Sequence, residues 1–202
     1  GQHALSTASR FLNCNVLAID LSLSSLSYAM RKTQELGGTN IEYMQGDILK
    51  LNQLGRQFDI IESVGVLHHM NDPLTGWKVL VDRLRSGGLM KVGLYSDKAR
   101  QHIVKAHKHI AKKKYTTSPD DIRKFRQEVI NMDPNSDSEI TKVISSPDFY
   151  SLSACRDLLF HVQEHRFTLP QIEVALNDLD LRFLGFELKQ SWIMSFSEFY
   201  PE

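Results

Sequence analysis

Four apolar runs, separated by helical segments or loops, constrain the fold of this 202-residue chain most strongly. They predict strands at 15–19, 41–44, 58–66 and 89–95. These strands are dense in apolar residues on both faces, and such strands alternate with helices in parallel sheets that are covered on both sides. The sequence therefore predicts an α/β fold in which a mostly parallel sheet lies between two layers of helices.

Helix start and stop signals stand between the predicted strands. Residues 3–12 place apolar side chains on one face, and Ser22 stands where the N-cap of a second helix belongs. That helix should stop at Gly37-Gly38, since glycine is the common residue just past a helix end. Asn71-Asp72-Pro73 predicts the start of a third helix, which should end at Gly87-Gly88.

The pattern changes after Ser96, and the chain divides into three predicted parts: an α/β core at 1–97, a helical insertion at 98–150, and a final part at 151–202. The final part should contain two helices split near Pro170, and 181–189 reads as a late strand. The last dozen residues fit a strand or a short helix equally well.

Composition gives no argument for several kinds of partner. Lys plus Arg and Asp plus Glu both number 24, so bulk charge favours neither nucleic acid nor an anionic membrane. The lysine-rich stretch 98–114 has only Tyr115 as a neighbouring aromatic, which indicates a solvated face rather than an RNA site. No apolar run reaches the length of a membrane span. Two distant cysteines, Cys14 and Cys155, favour a reducing, cytoplasmic setting.

Two of the first three predicted strands are followed by an aspartate. Ligands bind outside the carboxyl ends of parallel strands, which is where Asp20 and Asp47 should lie. A carboxylate is an acceptor-only group that can bind both ribose hydroxyls, and a second one can accept from an adenine amino group. The alternative stays open that Asp20 caps the adjacent helix and that Asp47 is a turn residue.

Four segments in order, IDLS, GD, FDIIESVGVLHHMNDP and LRSGGLMKVGLYS, resemble the class I S-adenosylmethionine-dependent methyltransferases over residues 1–96. The later segment DFYSLSACRDLLFHVQEHRFTLPQI is similar to a bacterial subset that is often fused to tetratricopeptide repeats. The resemblance implies a Rossmann-like three-layer sandwich with helical insertions. It also implies S-adenosylmethionine as cofactor and methyl transfer to an unknown acceptor.

The resemblance also assigns cofactor contacts residue by residue. Asp20 would bind the ribose, with Leu21 as an apolar neighbour of the adenine, and Asp47 and Ile48 would hold the adenine edge and face. The methionine moiety would lie against three further residues, Ser63, Val64 and Gly1.

The family's first strand and most of its glycine-rich loop have no counterpart here, because Gly1 matches the last glycine of that loop. The resemblance thus implies a domain clipped at the N-terminus, and at the C-terminus as well. The missing strand is the central one, so the strands at 15–19 and 58–64 should pair directly, leave a gap, or borrow a strand. A homodimer through exposed or swapped strands would follow from borrowing.

Histidines and a polar helix supply the remaining candidates. His68 and His69 follow the third strand and could act as a general base, if the acceptor must lose a proton. The alternative is that one packs or caps the Asn71-Asp72 turn and the other is solvated. Tyr150, Arg156 and His161 could form a lid over the acceptor, or belong to a packing helix. His161 and His165 have metal-ligand spacing, but without a third ligand we expect no metal.

Two rival functions stay open. An NAD-dependent oxidoreductase shares the acidic strand end but does not explain the GD and ESVGVLHHM segments. A non-catalytic remnant or interaction domain is consistent with the missing loop, and the fragment could equally be inactive as it stands.

Overall fold

A computed structural model describes residues 2–11, 13–133, 138–160 and 163–200 of the chain. The chain forms two compact units, Gly1–Phe167 and Thr168–Glu202. The predicted division at residues 97 and 150 is based on sequence alone and stays a prediction.

The described strands form parallel pairs in unit 1, and the predicted α/β fold with parallel strands is confirmed. Strand β1 pairs with β2, β3 with β4, and β5 with β6, each in parallel. Their bounds are β1 Val16–Asp20, β2 Ile41–Gln45, β3 Phe58–Val64, β4 Leu84–Gly93, β5 Tyr95–Ser96 and β6 Arg166–Phe167. Within the described ranges no ladder joins β1 to β3, which corresponds to the gap among the three expected arrangements.

Helices occupy most of the remaining described chain. Their bounds are α1 Gln2–Arg10, α2 Leu23–Glu35, α3 Pro73–Val81, α4 Gln101–Lys113, α5 Pro119–Ile130, α6 Ser138–Thr141, α7 Leu152–Leu159, α8 Leu169–Asp178 and α9 Gln190–Phe199. Short 3-10 helices include Ile48–Leu54 and Leu67–His69. The undecided C-terminal dozen is therefore helical over most of its length.

The predicted helix starts at Ser22 and Asp72 are confirmed. The Ser22 side chain accepts from the Ser25 backbone N–H as the N-cap of α2. Asp72 caps α3 by accepting from the N–H groups of Leu74 and Thr75, with Pro73 in the first turn. In each case a short polar side chain satisfies a backbone donor that the helix itself leaves without a partner.

The end of α3 and the start of β4 were predicted wrongly. Helix α3 ends at Val81 instead of Gly87-Gly88, and β4 already begins at Leu84. Ladder pairing decides this boundary, because Phe58 pairs with Leu84 and its N–H donates to the Arg83 carbonyl. Gly87 has φ +75°, a conformation that glycine adopts at no steric cost, and it lies inside the strand.

Two further expectations fail in the C-terminal part. Residues 181–189 form no strand, and the described residues of that unit contain no other strand to pair with them. His165 does not lie on a helix, because α7 ends at Leu159 and residues 163–165 are non-helical. Residue 161 itself lies outside the described residues.

A cluster of buried apolar side chains belongs to the helices that follow the strands. It joins α4, α5, α6 and α7 with the short turns between them. Its members are Ile103, Ala106, Ile110, Ile122, Phe125, Val129, Ile140, Val143, Phe149, Cys155, Leu159 and Phe160. The helices that follow the strands thus share an apolar core within unit 1, and this core extends past residue 150 into α7.

This core offers a matched test of packing at two neighbouring positions of α5. Val129 is fully buried, whereas Ile130 is 48% exposed. We expect Val129→Ala to lower the free energy of unfolding by about 2 kcal/mol, since two buried methyl groups are lost and a cavity remains. Ile130→Ala should change it by less than about 0.5 kcal/mol. Urea unfolding measures both, and equal losses would contradict the assigned core.

Candidate functional site

The carboxyl ends of β1 and β2 bring Asp20 and the loop of Asp47 to one edge of their sheet. Asp20 is paired with Gln45 in the parallel register. The Gly46 N–H donates to the Asp20 carbonyl at 3.1 Å, so the two acidic loops leave the sheet side by side. Both aspartates are half-buried.

Each of these carboxylates also makes a local hydrogen bond, as the capping alternative expected. Asp20 Oδ1 accepts from the Ser22 N–H at 2.8 Å, and Asp47 Oδ1 accepts from the Leu49 N–H at 2.9 Å. Asp47 is the N-cap of the 3-10 helix that begins at Ile48. No hydrogen bond among the described residues uses Oδ2 of either side chain, so one oxygen of each holds the loop and the other is available to a ligand.

Apolar side chains stand exposed beside these carboxylates and at the end of β3. Leu21 is 68% exposed and Val64 is 37% exposed, while Ile48 is half-buried. Ser63 is buried, and its Oγ has no hydrogen-bond partner among the described residues. Exposed apolar side chains beside acceptor-only carboxylates suit a ligand with an aromatic base and a polyol. Gly1 lies outside the described residues.

A second polar cluster lies beyond β3 and β4 and is built around Tyr95. The His68 ring stacks on the Tyr95 ring, with centroids 3.7 Å apart and planes inclined by 26°. The Arg100 guanidinium carbon lies 3.7 Å from the same ring centroid. Two groups cannot share one face at these distances, so Tyr95 is sandwiched between an imidazole and a guanidinium, a favourable cation–π arrangement. Burial raises the pKa of the Tyr95 hydroxyl.

Arg100 is held by Glu164, which lies 64 positions away in the chain. Arg100 Nε and Nη2 donate to the two carboxylate oxygens at 2.9 and 2.5 Å. The Glu164 side chain is 4% exposed. Burial raises the pKa of this carboxyl, but the Arg100 hydrogen bonds and the charges of Arg100, His107 and Arg166 together lower it below its usual value. The pair is therefore ionised and bidentate, the strongest form of side-chain hydrogen bonding.

Glu164 belongs to residues 163–167, which we call the strap because they are bound across the turn after β3. The His165 N–H donates to the His68 carbonyl at 2.8 Å. His69 Nδ1 lies 3.1 Å from the Gln163 carbonyl, and Gln163 Nε2 donates to the Met70 carbonyl at 3.3 Å. The strap then enters β6, whose pairing with β5 places Tyr95 opposite Arg166.

The two candidate histidines have different environments. His68 is 1% exposed, its Nδ1 lies 3.3 Å from the Gly93 carbonyl, and its Nε2 has no partner among the described residues. Burial, followed by the neighbouring His69, lowers the pKa of His68 to about 4. His69 is half-buried and lines an open cavity. Sequence spacing alone could not show which of the two histidines is buried.

That cavity has a volume of about 460 Å³ and is open to solvent. Its lining residues are His69, Thr117, Ser153, Arg156, Asp157, Phe160 and Gln163. Arg156, a predicted lid residue, is among them. Tyr150 is not: it is 54% exposed, and its ring packs edge-on against Phe149. The third predicted lid residue, His161, lies outside the described residues.

Several residues of this region were not predicted from the sequence. Tyr95 stands at a strand end, a position that marks candidate residues, but nothing in the sequence gave it a role. Arg100, Gln163 and Glu164 are brought together only by contacts 64 or more positions apart. Local patterns carry no signal for such pairings.

In the part of the chain that the structure describes, no three His, Cys, Asp or Glu side chains are grouped as metal ligands would be. No described helix combines the length and the apolarity needed to cross a bilayer.

Known proteins resemble this chain in sequence and in structure. Residues 1–88 match a family model described as a methyltransferase domain. An uncharacterized protein of Synechococcus sp. is 33% identical over 100 residues, which are 49% of this chain and 24% of that protein. The chain therefore spans about a quarter of that relative's length.

Two solved structures resemble the chain over nearly its whole length. Both are PKMT2 from Rickettsia typhi, one of them in complex with AdoHcy, with TM-scores of 0.70 and 0.71. The sequence identities are 17% and 14%, the matches cover 97% and 98% of this chain, and they cover 41% and 42% of PKMT2. At such low identity the likeness shows the fold.

The fold and the family match agree on one class of protein. Residues 1–88 match a methyltransferase-domain model, and the predicted resemblance to class I S-adenosylmethionine-dependent methyltransferases is confirmed. The Rossmann-like fold is confirmed with it.

The buried His68 should make stability depend on pH. Its pKa is about 4 in the folded chain, whereas an unfolded histidine takes up a proton near pH 6.5. The unfolded state therefore gains protons first, and the free energy of unfolding should fall by about 3 kcal/mol as pH drops from 7 to 4. Urea unfolding at several pH values measures this loss.

His68→Asn keeps a side-chain N–H where Nδ1 stands and removes the titrating ring, so this variant should lose that share of the pH dependence. His3→Asn, at an exposed position of α1, is the control and should keep it. An unchanged pH dependence in His68→Asn would contradict a neutral, buried His68.

Proposed function

We propose that this chain binds S-adenosylmethionine at the carboxyl ends of β1, β2 and β3 and transfers its methyl group to an acceptor. The observation that carries the proposal is the placement of Asp20 and Asp47 at one sheet edge, each with an oxygen not used by a hydrogen bond among the described residues. The match of residues 1–88 to a methyltransferase domain supports it. So does the structural likeness to PKMT2, which is described as a complex with AdoHcy.

In this proposal each strand end binds one part of S-adenosylmethionine. Asp20 accepts from the ribose hydroxyls, and Asp47 accepts from the adenine amino group. Leu21 and Ile48 cover the faces of the base, for which their exposure and position suit them. Ser63 and Val64 border the methionine part, together with Gly1.

For methyl transfer, the protein mainly has to position the acceptor. The bound sulfonium supplies a methyl group that is already activated for displacement. Holding an acceptor on the axis of attack is worth several kcal/mol, up to about 7–11 in well-oriented systems. The cavity beside His69 and Arg156 opens next to the turn after β3, so it is the described cavity best placed for that acceptor.

A second candidate is a binding or interaction domain without catalysis. One observation favours it: β1–β2 and β3–β4 are separate ladders within the described residues, so the cofactor edge is not one continuous sheet. A strand borrowed from a second copy could join them, which keeps the predicted homodimer as a proposal. The oxidoreductase alternative lacks a comparable observation.

Titration calorimetry with S-adenosylhomocysteine tests the proposal. We expect binding to the wild-type chain, weakened about ten- to hundred-fold in Asp20→Asn or Asp47→Asn, since each loses a charge-assisted hydrogen bond. Asparagine keeps the oxygen that holds the loop. Asp59→Asn is the matched control, because Asp59 lies near the start of β3 and pairs with Arg85.

Three outcomes would contradict the proposal. Absence of heat with a folded chain would favour the interaction domain, and an equal loss of affinity in Asp59→Asn would show that the aspartates act through general charge. Heat with NAD in place of S-adenosylhomocysteine would favour the oxidoreductase.

A further inference from the structure

We infer that His69 takes the proton from the methyl acceptor, and that the strap holds its ring in the form that can do so. The inference rests on the proposed function and deepens it. It concerns the cavity of about 460 Å³ that His69 lines, for which it names the proton-accepting atom. It also limits the acceptor to a nitrogen or oxygen nucleophile that carries a proton.

The tautomer of His69 follows from its hydrogen bond. Nδ1 lies 3.1 Å from the backbone carbonyl of Gln163. A carbonyl oxygen only accepts, so the proton of the neutral imidazole must be on Nδ1. The lone pair is then on Nε2. This is the arrangement of a general base, in which a second group fixes one ring nitrogen and the other receives the proton.

The carbonyl that sets this tautomer is itself held firmly. Its residue, Gln163, donates from Nε2 to the Met70 carbonyl at 3.3 Å. The following residue, Glu164, is buried in its bidentate pair with Arg100. Two residues after Gln163, the His165 N–H donates to the His68 carbonyl at 2.8 Å. The strap is therefore fixed at the contact and directly after it, and it acts as a positioning element for the His69 ring.

His68 is excluded from the same role although it has the same tautomer. Its Nδ1 faces the Gly93 carbonyl, but its ring is 1% exposed and is covered by Tyr95. It does not line the cavity. A base must reach the proton that it takes, directly or through one water, and only the His69 ring borders the space where an acceptor fits.

The proton balance is simple. A lone pair of the acceptor attacks the methyl carbon, the carbon–sulfur bond breaks, and its electron pair stays on sulfur as the thioether of S-adenosylhomocysteine. The acceptor's proton passes to Nε2 of His69, and the resulting imidazolium returns it to water after release. Arg156, Asp157 and Ser153 are among the residues that line the cavity, and their side chains can hydrogen-bond to a polar acceptor.

The first test reads the ring directly and needs no acceptor. Long-range ¹H–¹⁵N correlation spectra of the full chain, with S-adenosylhomocysteine present, distinguish the two tautomers of each histidine. We expect His69 at alkaline pH to show a protonated Nδ1 and an unprotonated Nε2. A proton on Nε2 would overturn the inference, because that nitrogen could then accept nothing.

The second test is a pH–rate profile. His69→Asn keeps an N–H where Nδ1 donates to Gln163 and removes Nε2. With S-adenosyl-[methyl-³H]methionine and a bacterial cell extract as acceptor source, we expect label transfer to fall about 10²-fold or more. The wild-type rise in rate with pH should disappear as well. His109→Asn, on α4 and paired with Glu128, is the control for the loss of an imidazole.

Calorimetry separates this inference from the function on which it rests. His69→Asn should bind S-adenosylhomocysteine as tightly as the wild type, and added imidazole should partly restore label transfer in His69→Ala. Unchanged affinity with an unchanged pH profile would overturn the role of His69 alone. If the wild-type chain does not bind S-adenosylhomocysteine, the proposed function is overturned.

Discussion

The buried pair of Arg100 and Glu164 is the interaction on which the arrangement of the candidate acceptor site depends. Burying two charges is costly and is tolerated only with good geometry, which the bidentate contact supplies. The pair joins the start of α4 to the strap. It thereby holds a guanidinium against one face of Tyr95, whose other face carries His68. Breaking it would leave a buried charge alone and release both the stack and the strap.

The cofactor edge depends on a different constraint, the parallel register of β1 and β2. Parallel pairing brings both carboxyl ends to one edge, so two aspartates 27 positions apart leave the sheet side by side. Their local hydrogen bonds do not compete with this role. Each uses one oxygen to fix the loop, which leaves the carboxylate oriented before a ligand arrives, and preorganised groups lose less entropy on binding.

Features set by near neighbours in the chain were accessible from the sequence, and features set by distant contacts were not. Ser22 and Asp72 cap helices through hydrogen bonds to residues two or three positions away, so residue type and spacing predicted them. Gly87-Gly88 carried the signal of a helix end, but ladder pairing with β3 extended β4 through it. The strap could not be predicted either, because its contacts are distant in the chain: Gln163 and Met70 are 93 positions apart.

The neighbouring histidines show how position in the fold decides chemistry. Both have Nδ1 beside a backbone carbonyl, which fixes the same tautomer in each. His68 is turned into the protein, where burial lowers its pKa to about 4 and removes it from contact with an acceptor. His69 is turned toward the cavity. Since the strap contacts the backbone of one and the ring of the other, a single segment both packs the structural histidine and orients the one proposed to react.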